Sequence, residues 1–111
     1  MIKWYDELPF AITVSDKEGK IIYMNNKSAD TFSKFGGFQL LGKSIFSCHS
    51  EISIDKIKEM LQGHNTNVYT IEKNGLKKMI YQSPWYENGE FAGLIELSLV
   101  LPDNIPHYVR K

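Results

Sequence analysis

The chain has 111 residues, 13 Lys+Arg against 13 Asp+Glu, 42% hydrophobic and 13% aromatic residues, 8 Gly, 4 Pro and one Cys. This length supports one domain, which buries roughly 65% of the surface its unfolded form exposes and leaves no material for a second core. A net charge of zero and a pI near 6.8 argue against a phosphate-driven nucleic-acid binder, which needs a one-sided basic surplus to displace counterions.

A single cysteine forms no internal disulfide, so the expected setting is a reducing cytoplasm. The first residues carry no apolar run of a signal peptide, and no stretch approaches the ~18 apolar residues of a membrane span. Neither a membrane nor a nucleic acid is therefore expected as a partner.

In chain order, Phe10 to Ser15 alternates with period two and leads into Asp16-Lys17-Glu18-Gly19, a turn because Asp satisfies local backbone donors and Gly accepts positive φ. Lys20 to Met24 completes a β-hairpin. Asn25 or Asn26 then caps a helix that places Ala29, Phe32 and Phe35 at helical spacing and ends at Gly36-Gly37. From Phe38 to His49, Leu40, Leu41, Ile45 and Phe46 around Gly42 read as short helical turns. Ser53 is expected to cap a longer helix with Ile54, Ile57 and Leu61 on one face and Gly63 as its left-handed stop.

The pattern then turns to strands. Val68 to Lys73, Asn74-Gly75 and Leu76 to Tyr86 form a hairpin, because Asn-Gly favours the left-handed two-residue turn. Glu87-Asn88-Gly89 reverses the chain into Phe91 to Leu101. Two strands, short helices, one longer helix and three strands make an α+β domain: a five-stranded antiparallel sheet with its helices packed on one face and a concave space between. The organisation is a flanking segment at 1–8, a domain at 9–101 and a tail at 102–111, whose Pro102 and Pro106 exclude a continuous helix.

The ordered set Ile12-Thr13-Val14, Asp16-Lys17-Glu18-Gly19, Ile21-Ile22-Tyr23-Met24 and Asn25 resembles the start of a PAS domain. Gly42 after Leu40-Leu41 resembles the glycine opening the central helical segment. The strand Gly93-Leu94-Ile95-Glu96-Leu97 resembles part of the carboxyl-terminal meander. The resemblance spans about residues 8 to 101. It implies a sensory or interaction module that binds a small molecule, a cofactor or another protein, and the site must be argued from residues.

Flavin photochemistry is not expected: light-sensing relatives place a cysteine in an Asn-Cys-Arg-Phe-Leu-Gln type segment, and Cys48 lies in Ile45-Phe46-Ser47-Cys48-His49-Ser50. Haem is the alternative cofactor, with His49 as axial ligand, because haem sensors of the family hang the iron from a histidine in the central helical region. Against it, Cys48 and His49 as helical neighbours point about 100° apart, and His49 equally serves as a backbone-bonded or capping histidine.

The remaining pocket candidates are Ile57 and Leu61 on the long helix and Tyr69, Tyr81 and Gln82 on the strands, which either supply placed polar groups or fill a core or interface. Isolated carboxylates show no partner, and Glu96 is expected to face water. No nucleophile motif or phosphate loop appears, so catalysis in the same pocket is only a further alternative. The apolar residues of the flanking segment, Ile2, Trp4, Tyr5 and Leu8, resemble the helix through which many PAS domains pair, so a homodimer and an unidentified signalling protein are the expected partners.

Overall fold

The computed structural model describes residues 3–48 and 51–111, with the side chains of residues 47, 48 and 51–53 outside that description. The first hairpin forms as expected. Strand β1 (Ala11–Ser15) meets β2 (Ile21–Met24) across a turn in which Asp16 Oδ1 accepts from the Glu18 and Lys20 amides at 3.0 and 2.9 Å.

Asn25 sits in extended backbone and accepts from Ser28 N at 3.0 Å, capping α1 (Asn26–Thr31). The helix stops one turn earlier than the spacing of Phe32 and Phe35 predicts. The chain tightens into a 3-10 turn at Ser33–Phe35, then reverses through Gly36 and Gly37 at φ 110° and 57°. The tighter turn rotates Phe35 off the buried face, so it is 53% exposed while Phe32 still packs against the core.

Two further 3-10 turns, Gly37–Leu40 and Ile45–Cys48, are pinned to the start of β2 by the bonds Gly42 N to Ile21 O, Ile21 N to Lys43 O and Ile45 N to Gly19 O, each 2.8 Å. Helix α2 (Glu51–Gly63) begins before Ser53, which lies inside it rather than capping it. Its left-handed stop is also not Gly63 but His64, at φ 56°, whose amide donates to Met60 O at 2.8 Å. Stacking of the His64 ring on Phe91, 3.8 Å between centroids and 6° from parallel, offsets the cost of a non-glycine residue there.

Strands β3 (Asn67–Lys73), β4 (Leu76–Glu87) and β5 (Glu90–Val100) form the meander. Its turns carry positive φ at both residues, 53° and 76° at Asn74-Gly75 and 53° and 82° at Asn88-Gly89, the left-handed geometry that matches strand twist. The five-stranded sheet has the order β2-β1-β5-β4-β3, so the first hairpin docks on the last strand. Helices and turns carry the chain from one edge to the other across a single face. Beneath them lies a core of Ile21, Met24, Leu40, Ile45, Ile57, Met60 and Leu94.

The described residues of the flanking segment, 3–8, form a turn, closed by Asp6 N on Lys3 O at 3.0 Å, and no helix. Residues 102–111 form neither helix nor strand and are exposed beyond the bond from Leu101 N to Lys77 O. No helix among the described residues is long and apolar enough to cross a membrane.

Candidate functional site

The strand register sets one row across the sheet that is polar on every strand but β2. Met24, Thr13, Glu96, Gln82 and Asn67, one from each strand, stand opposite one another in turn, and residues so paired share a face. Asn67 Nδ2 donates to Gln82 Oε1 at 2.9 Å, and Gln82 Nε2 donates to Glu96 Oε2 at 2.7 Å. Thr13 Oγ1 is hydrogen-bonded to Ser28 Oγ of α1 at 2.5 Å.

Gln82 is only 6% exposed, so the row runs into the interior rather than along the surface. Glu96, expected to face water, turns inward: it pairs with Thr13 on one side and Gln82 on the other, and both face the helices. A cavity of about 30 Å³ lies where this row meets the apolar roof of Ile45, Ile57 and Met60, with Ser15 and Leu94 at its end. That is room for one or two water molecules.

Of the residues singled out from sequence, Ile57 and Gln82 line this cavity. Tyr69 shares the inner face, through its pairing with Ile80, but stands on the edge strand beside the row, 41% exposed. Burial and the Glu96 charge push its phenol above the ordinary tyrosine range, partly offset by the Gln82 amide. Tyr81 does not join them. It pairs with Leu97 and Val68 on the opposite face, because successive strand residues alternate and Gln82 already points inward.

Leu61 packs against the core without lining the cavity, on the side where Gly19 approaches Ile45 and Phe46. His49 and Ile2 lie outside the described residues, as does the side chain of Cys48. A porphyrin does not fit the cavity among the described residues as they stand. Asn67, Thr13, Ser15 and Ser28 were not marked by sequence. For the three on strands the only signal there is polarity at alternate positions, which does not tell an inner face from an outer one, and Ser28 lies in α1.

The other face of the same strands holds a second feature. Trp4, Tyr5, Ile12, Val14, Tyr23 and Ile95 line an open apolar hollow of about 360 Å³. Tyr5 stands edge-on to both Trp4 and Tyr23, with centroids 5.1 and 5.2 Å away, and Trp4 remains 71% exposed. Tyr23 Oη donates to Asp6 Oδ1 at 2.5 Å, and burial followed by that bond pushes the phenol well above its usual range. Leu8 is half-buried at the end of the segment.

An antiparallel sheet in the order β2-β1-β5-β4-β3, helices over one face only, and a small polar-floored cavity beneath them define the class as a two-layer α+β domain. The family model of the PAS fold matches residues 5–65, more than half of the chain, and the chain belongs to the PAS family. No curated protein matches it by sequence.

Among solved structures, a C-terminal domain from Streptococcus mutans shares 21% identity over 86% of this chain and 78% of that one, with a TM-score of 0.68. The PAS domain of BvgS from Bordetella pertussis shares 23% identity over 88% of this chain and 81% of that one, at 0.64. The Aer2 receptor of Vibrio cholerae, a dual PAS-haem oxygen sensor, shares 18% over 84% and 95%, at 0.59. At these identities the likeness is one of fold.

Proposed function

We propose that this chain is a sensory module that takes a small ligand into the inner-face cavity and signals to a protein partner from the opposite face of the sheet. The observation that carries this reading is the Asn67–Gln82–Glu96 row. Burying an amide and turning a carboxylate inward costs stability that an apolar filling would avoid, so the row serves recognition better than packing. Binding rather than turnover is favoured because the row's groups bond to one another and none is set as a base beside a nucleophile.

The route outward is short. Thr13 and Glu96 on the cavity floor are the immediate neighbours of Ile12, Val14 and Ile95, which line the hollow under Trp4. A shift of β1 against β5 is felt on both faces, because packed strands move as units. The exposed Trp4, with Tyr5 and Leu8, is the surface through which a second copy of the chain pairs, and an unidentified signalling protein reads that pairing.

The test is native mass spectrometry of the purified chain with an absorption spectrum on the same sample. A small bound mass that is lost in Gln82→Leu is the expected result. A Soret band would replace this reading with the haem sensor that the Aer2 likeness brings to mind, and a bare mass with a flat spectrum would overturn the ligand in favour of partner binding alone. Light scattering is expected to show a dimer that Trp4→Glu converts to monomer; a wild-type monomer at high concentration removes the pairing.

A further inference from the structure

The donors of the polar row all point one way. Asn67 donates to Gln82, Gln82 donates to Glu96, and a carboxylate only accepts, so the row ends on an acceptor with nothing further to give. This order also fixes the amide orientation of Gln82, whose oxygen is taken by Asn67 and whose nitrogen is turned to Glu96. Among the described residues no donor reaches Glu96 Oε1.

The charge is equally one-sided. Glu96 is the only charged residue lining the cavity among the described residues, where Ile45, Ile57, Met60, Leu94 and Ile95 make up most of the wall. The ion pair among the described residues, Lys56 with Glu59, is on the exposed side of α2 and contributes nothing here. An inward carboxylate without a cation is costly, and the apolar wall strengthens any charge placed beside it. An anion would meet repulsion from Glu96, with only the hydroxyl proton that the Thr13–Ser28 bond does not use to offset it.

We propose that the cavity recognises a compact nitrogen cation, ammonium or the head of a primary amine, seated on Glu96 with its charge balanced by that carboxylate. This deepens the ligand reading above and rests on it. The volume of about 30 Å³ matches a group the size of one or two waters, so the charged head enters while any carbon substituent faces Ile57 and Met60. The N–H groups of such a head complete the row, supplying the donors that its far end lacks.

The experiment is an NMR titration of the full chain that follows the side-chain amide signals of Gln82 and Asn67. Methylammonium chloride is the probe, with potassium chloride and sodium formate at matched ionic strength. The expected result is a saturable shift with methylammonium alone, weakened at least about tenfold in Glu96→Gln, a loss of about 1.4 kcal/mol. The substitution keeps the side chain's shape; if that variant does not fold, the three arms on the wild-type chain decide.

An equal shift with potassium overturns the requirement for N–H donors. A shift with formate but not methylammonium overturns the cation and leaves the ligand cavity standing. No shift with any probe, together with a bare native mass, overturns both readings.

Discussion

The carbonyl oxygen of Ser15 occupies the place that a Cβ on residue 93 would need. Gly93, at φ 153°, therefore lets the end of β1 press against β5, where Ser15 O accepts from Trp85 Nε1 at 2.9 Å and Ser15 Oγ accepts from Leu94 N at 3.3 Å. These bonds close the sheet at the end of the cavity where Ser15 and Leu94 lie.

Gly93→Ala is accordingly expected to destabilise the domain by about 3 kcal/mol, because the clash is with backbone and no side chain can yield. At a compatible site the same change would stabilise by about 0.4–1 kcal/mol, so even the sign discriminates. A urea midpoint that rises in the variant removes the account of this corner.

Asn25 joins three parts of the chain through one amide. Its oxygen accepts from Ile12 N and Ser28 N, both at 3.0 Å, and its nitrogen donates to Tyr5 O at 3.0 Å and Phe10 O at 2.9 Å. At 1% exposure no water replaces a lost partner. Asn25→Ala should cost about 3 kcal/mol, well beyond the ~1 kcal/mol of a helix cap alone. Asn25→Asp keeps both acceptors but sets a carboxylate against two carbonyls, so hydrogen exchange should speed up at Asn26 N, which donates to Asp6 O. Unchanged exchange there would separate the flanking segment from Asn25.

Tyr23 ties alkaline stability to the flanking segment. Its phenol is pushed above the ordinary value of 10.0, so the folded state holds the proton after the unfolded chain has released it. The contribution is complete below about pH 10 and is lost as pH rises beyond it. Tyr23→Phe should cost about 1.5 kcal/mol at neutral pH through the lost bond to Asp6, and the gap from wild type should close in urea titrations above pH 10. A constant gap across that range contradicts the coupling.

His64 balances two opposed effects at the end of α2. His64→Gly relieves the left-handed backbone, worth about 1 kcal/mol, but forfeits the stacking on Phe91, worth about as much, so the midpoint should move little. His64→Ala loses the stacking and keeps the strained backbone, and should cost about 1 kcal/mol. Equal costs for the two variants would mean that the left-handed backbone carries no strain, and an unchanged midpoint in His64→Ala would mean that the ring contact contributes nothing.

The hairpins at Asn74-Gly75 and Asn88-Gly89, the Asp16 turn and the Asn25 cap were all legible before the structure, because each depends on a residue's own φ preference or on a side chain reaching a backbone amide close in sequence. Where such local rules competed, prediction slipped. Gly63 was the natural stop for α2, yet His64 takes that role because Phe91, 27 positions further along, offers it a stacking surface. The helix expected to continue to Phe35 ends at Thr31, and Ser33–Phe35 tighten into a 3-10 turn ahead of the glycine pair.

By itself, then, the order of residues determined the succession of strands and helices, the hairpin turns, the α+β class and the family resemblance. The tertiary structure alone decided that Glu96 faces inward, that Tyr81 and Gln82 part to opposite faces, and that Asn67, Gln82 and Glu96 form one row. The reason lies in register: a strand's alternation is written locally, but which of its two faces meets the helices depends on pairings between residues far apart in the chain, and a shift of one position would exchange them.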